Sequence, residues 1–294
     1  MVSPSGGSRP DPLAAFAPGL FVLLWSTGFI GAKYGLPYAE PFTFLLVRFA
    51  LVTSLMAVVA FASRAPWPRS RREAAHIAVG GLLVHGTYLG GVFGAIHYGL
   101  PAGVTALIAG LQPLLTAVAA GPVLGETIRP RQWLGFVLGL VGVGLVVSNK
   151  LGGGLGWAGL PFALVAVIGI TAGTLYQKRF CGGMDLRSGA VIQYAAAAAL
   201  MAVLAPTWET MEVQWTGEFI FAMAWLSLVL SVGAITLLYR LIRAGSAAKL
   251  ASLFYLVPPT TAIIAFLVFG ETLSPLALSG MAVAVVGVAL ATRG

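Results

Sequence analysis

Ten stretches of apolar residues, each long enough to cross a bilayer as a helix, leave this chain little freedom to fold in water. A spanning helix takes about 17–25 predominantly apolar residues. Such stretches lie at 16–36, 41–62, 74–97, 101–124, 130–148, 157–178, 188–205, 217–242, 247–269 and 274–292. Their connections are short, so no soluble domain is inserted. Composition points the same way: 9% of the 294 residues are charged and 59% hydrophobic, with mean hydropathy +0.94. A soluble domain covers its surface with about 25% charged residues. Residues 1–15, rich in Pro, Gly and Ser, are expected to form a flexible tail. They do not read as a secretory signal, because the next stretch has spanning length and no A-x-A site closes it. The single cysteine, Cys181, excludes an internal disulfide framework.

The net charge of +8 is a topology signal once its location is read. With the N-terminus inside, one set of connections holds Arg9, Arg64, Arg69, Arg71, Arg72, Arg129, Arg131, Lys178, Arg179, Arg187, Arg240, Arg243, Lys249 and Arg293. Lys33 and Lys150 fall on the other side, Arg48 lies inside a span, and the longest external loop, "APTWETMEVQWTGE", is acidic. Both termini are therefore expected in the cytoplasm, in a multi-pass protein of the cytoplasmic membrane. Nucleic acid is the weaker reading of the charge.

The chain also matches itself. A shift of 145 residues lays Gly125-Glu126-Thr127 on Gly270-Glu271-Thr272, Pro113 on Pro258, Pro130 on Pro275 and Gly135 on Gly280. Each repeat, 16–148 and 149–294, holds five spans. An odd number turns the second copy upside down, the inverted-repeat plan of many secondary transporters. The expected fold is an all-α integral membrane protein of ten transmembrane helices, two inverted five-helix repeats around a central cavity.

These features resemble the EamA-type branch of the drug/metabolite transporter superfamily. The resemblance rests on the "LLWSTGFIGAKYGL" pattern of the first span. It rests also on the paired "LQPLLTAVAAGPVLGE" and "LVPPTTAIIAFLVFGE" segments, each followed by a Gly-rich helix. It implies a basket-like bundle whose cavity is lined by spans 1, 3, 4, 6, 8 and 9, with spans 5 and 10 peripheral.

The Gly-Glu-Thr repeat has a local reading. Gly125 and Gly270 suit the left-handed residue that closes a helix, and Thr127, Thr272 or Ser274 can cap the next one. Glu126 and Glu271 then sit by a helix N-terminus, where negative charge is favoured; a gating or ion-coupling role is the alternative. Inside the spans the polar residues are few. His85 and Tyr88 share one face of span 3, and either line a cavity or leave His85 satisfied by neighbouring polar groups. Gln112 precedes Pro113, and Tyr255 precedes Val257-Pro258-Pro259. Broken helices at corresponding positions of two halves point to a central site, although a packing kink would leave the same trace. Trp25 is a candidate cavity wall, and Tyr176 a candidate ligand beside Thr171 and Thr174. Arg48 is expected to snorkel outward or pair with Glu40, with a substrate carboxylate as the alternative. Lys33 and Lys178, equivalent by repeat, are read as anchors or gates.

All nine acids fall in loops or at helix ends, so the usual mid-membrane carboxylate relay is missing. The expected substrate-binding set is therefore His85, Tyr88, Gln112, Trp25, Tyr255 and Tyr176, with Arg48, Lys33 and Lys178 in charge or gating roles. The expected function is secondary transport of a small amphipathic metabolite or amino acid, outward and by alternating access. A passive channel is the alternative. A membrane enzyme ranks below both, since no convergent His, Asp or Glu cluster and no catalytic motif is present. No cofactor, metal or nucleic-acid partner is expected. The partners are a small solute and the bilayer; the Gly-rich faces of spans 5 and 10 serve either a homodimer or internal packing.

Overall fold

A computed structural model describes residues 12–100, 102–148, 157–269 and 274–292. Ten helical segments follow in order. They are α1 Pro12–Gly35, α2 Pro41–Ala62, α3 Arg71–His97, α4 in two limbs Ala102–Ala109 and Gln112–Leu124, and α5 Pro130–Val147. Then come α6 Trp157–Phe180, α7 Leu186–Trp208, α8 Gly217–Ala244, α9 Ala247–Val268 and α10 Pro275–Thr292. The one β-bridge among the described residues joins Ala39 to Val213. Helix α1 begins at Pro12, inside the segment expected to be a tail; residues 1–11 lie outside the described residues.

Among the described residues, seven of these helices, α2, α3 and α6 to α10, are long and apolar enough to cross a bilayer. Among the same residues α1 and α4 add the shorter apolar runs Phe16–Ala32 and Gln112–Leu124. The ten helices stand at the ten expected positions, and the break expected at Pro113 is present in α4. It falls at Gly110-Leu111. Pro113 cannot donate an amide bond and clashes with the preceding turn, so the helix restarts there in two limbs. The repeat mate behaves alike: α9 tightens to a 3-10 turn over Leu253–Leu256 before Val257-Pro258.

The helix neighbours map onto themselves when the halves are exchanged. The most extensive packing joins α5 to α10, then α2 to α7. The α3–α6 and α3–α7 contacts have α8–α1 and α8–α2 as mates, and α4–α6 has α9–α1. Both repeat-mate pairs are antiparallel. Glu209 at the end of α7 accepts from the Phe42 and Thr43 amides, both at 2.7 Å, which are unpaired donors in the first turn of α2. At the opposite end Ser188 of α7 donates to the carbonyl of Pro66, just beyond α2. In α5 and α10, Gln132 donates to the Ala291 carbonyl at 3.2 Å. A Cβ on Gly142 would lie 2.4 Å from the Ala284 nitrogen, and one on Gly287 would lie 2.4 Å from the Gly139 nitrogen. Gly135, Gly142 and Gly287 therefore serve packing between these two helices, the second of the two uses the sequence left open.

One end of the bundle gathers the basic connections. Lys178 at the end of α6 pairs with Glu126 at 3.2 Å and donates to the Gly245 carbonyl, while Arg179 donates to the Val123 carbonyl. The other end is acidic and is held by Glu40 and Glu209.

The Gly-Glu-Thr corner differs in detail from its expected form. Gly125 does close α4 with φ +69°, and the Glu126 amide donates back to Ala120 at 3.2 Å. The N-cap of α5, however, is Arg129, not Thr127, and its amide donates to Gln132 at 3.0 Å. Glu126 reaches past α5 to the other half, where it accepts from the Ala247 amide at 3.0 Å at the start of α9. In the second copy Ser274 does cap α10, accepting from the Ala277 amide at 3.1 Å. Gly270, Glu271 and Thr272 lie outside the described residues.

Candidate functional site

A small cavity of about 30 Å³ sits where the two halves meet, lined among others by Trp25, Phe29, Arg48, Tyr88, Tyr194 and Leu230. It has room for a water or two. A second void of about 10 Å³ lies on the other side of Trp25 and Tyr88, against Gly110 of the α4 break and Pro258 of α9. The wall between the two voids is aromatic. Trp25 stacks on Tyr88 with ring centroids 6.0 Å apart, and its indole N–H donates to the Tyr88 hydroxyl at 3.3 Å. Phe21 and Phe254 meet Trp25 at 5.2 and 5.3 Å, so α1, α3 and α9 share one aromatic cluster.

Arg48 is the one charged residue among the described residues that line this cavity. It is 2% exposed and projects inward from α2. The two expected outlets for its charge, snorkelling and a pair with Glu40, are both unused. Glu40 instead accepts from the Thr210 amide at 2.7 Å and the Thr210 hydroxyl at 2.6 Å at the acidic end. Among the described residues the guanidinium's hydrogen-bond partner is Ser231, whose Oγ accepts from Nε at 3.2 Å and Nη2 at 3.1 Å. Among the described residues no carboxylate pairs with it.

Ser231 can accept from Arg48 because its own proton goes elsewhere, to the Leu226 carbonyl at 3.1 Å five residues back. That spacing follows from a π-helical stretch, Trp225–Ala234, in the middle of α8. Its mate by the 145-residue shift is a second π-helical stretch, Leu82–Thr87 in α3. A π-turn widens the helix and frees a carbonyl from its usual partner, and such turns cluster at functional sites. Here each stretch gives the cavity a lining residue, Val84 from α3 and Leu230 from α8.

Of the residues singled out by sequence, the structure brings Trp25, Tyr88 and Arg48 together at the cavity. His85 is fully buried one layer behind it. Its ring stacks on Tyr194 at 4.1 Å, and its Nε2 shares a hydrogen bond with the Tyr239 hydroxyl at 3.3 Å. Gln112 is buried at the α4 break and donates to Thr174 at 3.3 Å, while its side-chain oxygen has no protein partner. Tyr255 is directed away from the centre: it packs with Phe136, Val143 and Val288 against α5 and α10. Tyr176 lies toward the basic end, where its hydroxyl shares a 2.6 Å hydrogen bond with His76 Nδ1. Lys178 is part of the basic-end clasp with Glu126. The Lys33 side chain lies outside the described residues.

Sequence reasoning missed Tyr194, Ser231, Tyr239 and Phe254. The 145-residue shift could have found one of them, since Gln193, the mate of Arg48, adjoins Tyr194. Gln193 is itself fully buried and donates to Gln177 at 2.9 Å. No group of three or more His, Cys, Asp or Glu side chains among the described residues could hold a metal ion.

Comparison with known proteins follows the same lines. The EamA-like transporter family matches twice, at residues 14–148 and 157–293. An uncharacterized transporter of Bacillus subtilis (strain 168), YvbV, is 24% identical over 282 residues, covering 96% of this chain and 92% of the relative. A probable terminal-alkyne amino-acid exporter of Streptantibioticus cattleyicolor is 26% identical over 292 residues, covering 95% and 93%. A solved crystal structure at 20% identity superposes with TM-score 0.76 over 95% of this chain and 97% of its own, which shows the shared fold. With two matches that together span nearly the whole chain, this all-helical membrane protein belongs to the EamA-like transporter family.

Proposed function

We propose that this transporter exports small amphipathic solutes bearing a carboxylate, amino acids foremost, by alternating access. The observation that carries the reading is Arg48, a buried guanidinium at an aromatic cavity with a serine as its partner and no acid. A charge at the centre of a bilayer helix costs about 2.5–3.5 kcal/mol on insertion scales. A protein that leaves it without a counter-ion leaves that role to a ligand. Trp25 and Tyr88 offer flat apolar faces with polar edges beside it, suited to the rest of an amphipathic solute.

The pairwise exchange of helix contacts and the antiparallel α2–α7 and α5–α10 pairs support two inverted halves rocking about this centre, with 16–148 and 149–294 as the moving units. At about 30 Å³ the cavity is too small for an amino acid. A substrate must therefore enter by displacement of the halves, as a carrier requires and an open channel does not. Outward transport from the cytoplasmic membrane, with both termini inside, is the direction we adopt. It accords with relatives named as probable amino-acid metabolite efflux pump, in Escherichia coli (strain K12), and as probable terminal-alkyne amino-acid exporter.

The test is counterflow in proteoliposomes across amino acids, their decarboxylated amines and their amides. Exchange is expected for the acids and not for the amines or amides. Arg48→Gln should lower exchange by about 100-fold or more, since a charge-assisted pair in a dry site carries about 3 kcal/mol. Equal exchange of an acid and its amine, or wild-type kinetics in Arg48→Gln, would overturn the assignment.

A further inference from the structure

The inverted repeat builds one lateral groove twice, and only one copy is charged. The first groove, about 490 Å³, lies between α3, α6 and α7, and the second, about 430 Å³, between α2, α7 and α8. The 145-residue shift converts one into the other. Leu200, Met201 and Leu204 in the first become Leu55, Met56 and Val59 in the second, and Thr87 becomes Val232. The apolar wall is thus kept. What changes is the end that the inversion carries from the acidic side to the basic one: Phe42 gives way to Arg187 there, and Arg240 and Arg243 are added from α8.

The charges there are unbalanced. Asp185 is the sole acid of the groove and is already occupied: both its oxygens bond Arg187, at 2.9–3.1 Å, and it also caps α7. Arg243 gives one N–H to the Met184 carbonyl and keeps its charge. Arg240 is exposed and has no hydrogen bond or ion pair among the described residues. Two cationic side chains therefore stand at the mouth of an apolar trough whose floor is α2 and α8.

We infer that this groove is a binding site for an anionic phospholipid of the leaflet at the basic end. The phosphate would sit against Arg240 and Arg243, and one acyl chain would lie along Leu55, Met56 and Val59. A bilayer supplies acyl chains to both grooves, but a cationic mouth adds preference for an acidic headgroup. A free phosphate would use the arginines and leave the trough unfilled, which is why the lipid is the occupant chosen.

The experiment uses the full chain in detergent. Binding of phosphatidylglycerol, phosphatidylcholine with the same acyl chains, and inorganic phosphate is measured by native mass spectrometry and thermal unfolding. Phosphatidylglycerol should bind more tightly than phosphatidylcholine. Arg240→Gln should weaken it about fivefold and the Arg240→Gln, Arg243→Gln pair about 30-fold, the increments expected of one and two arginines at a membrane surface. Arg72→Gln, at the same end but outside the groove, should leave it unchanged. Arg240 is exposed and makes no hydrogen bond or ion pair among the described residues, so its variant tests the charge while leaving the internal bonds in place. Equal binding of the two lipids, an unchanged Arg240→Gln, an equal loss in Arg72→Gln, or displacement of phosphatidylglycerol by inorganic phosphate would each overturn the inference.

Discussion

At the scale of single residues, two carboxylates show how the chain uses its few acids. Glu40 and Asp185 are mates under the 145-residue shift, and each is the N-cap of its helix, α2 or α7. Each is held ionised by hydrogen bonds. The Thr210 hydroxyl and amide lower the pKa of Glu40 below the usual carboxylate range, and the Arg187 guanidinium does the same for Asp185. A carboxyl whose folded-state pKa lies below its unfolded value stabilises the fold above the unfolded value, and that contribution is lost as pH falls through the folded one. The thermal unfolding temperature in detergent should therefore fall as the pH drops from about 5 to about 3. Glu40→Gln with Asp185→Asn should flatten the dependence, and Asp185→Ala should cost about 1 kcal/mol at neutral pH through loss of the cap. An unchanged acid limb in the double variant would show that other groups set it. His85 teaches a different lesson. The sequence shows a polar ring deep in α3 but not which way it points; the π-stretch turns it onto Tyr194, behind the cavity its neighbour Tyr88 faces.

At the scale of elements, the tightest joint is α5 against α10. Gly142 and Gly287 bring the two backbones together, and a methyl group at Gly142 would meet Ala284 N at 2.4 Å and Gly280 O at 2.6 Å. Gly142→Ala should destabilise by about 1–3 kcal/mol, the usual range for overpacking a filled interface. Gly144, two residues on, has nothing within 4 Å of an added Cβ. Gly144→Ala should be neutral or stabilise by up to about 1 kcal/mol, since alanine is the better helix former. Equal effects at the two sites would refute the close approach. The contrast was half legible from sequence: Gly135, Gly142 and Gly287 stand out as matched glycines, but which face of a Gly-rich helix is covered depends on its partner. The helix breaks were legible because Pro113 and Pro258 carry their own chemistry. The π-stretches were not, since "LLVHGT" and "WLSLVLSVGA" hold no residue that forces one. That is why Ser231, which owes its place to the α8 stretch, could not be paired with Arg48 beforehand.

At the scale of the whole molecule, the alternating access we propose requires that each end can be closed and released. The basic end is closed across the halves by Glu126, which joins the end of α4 to the start of α9 and to Lys178 of α6. The pair is only partly shielded, with side chains 27% and 15% exposed. It therefore contributes up to about 1 kcal/mol, enough to hold one state without locking it. Cys181, the chain's one cysteine, follows α6 three residues beyond Lys178 and reports on this closure. Its thiol is buried and bonded to the His76 carbonyl at 3.4 Å, and burial pushes its pKa up to about 11. Only the thiolate reacts quickly with a maleimide, so labelling should be slow while α6 stays clasped. Glu126→Gln removes the charge while leaving an oxygen for the Ala247 amide, and should raise the labelling rate about fivefold, the shift in open population that about 1 kcal/mol allows. Lys178→Gln should do the same from the other side, and the two together should not add, because each removes the same pair. If both variants label at the wild-type rate, the clasp is a passive strut and release of the basic end must be governed elsewhere, at the broken segments of α4 and α9 that flank Trp25 and Tyr88.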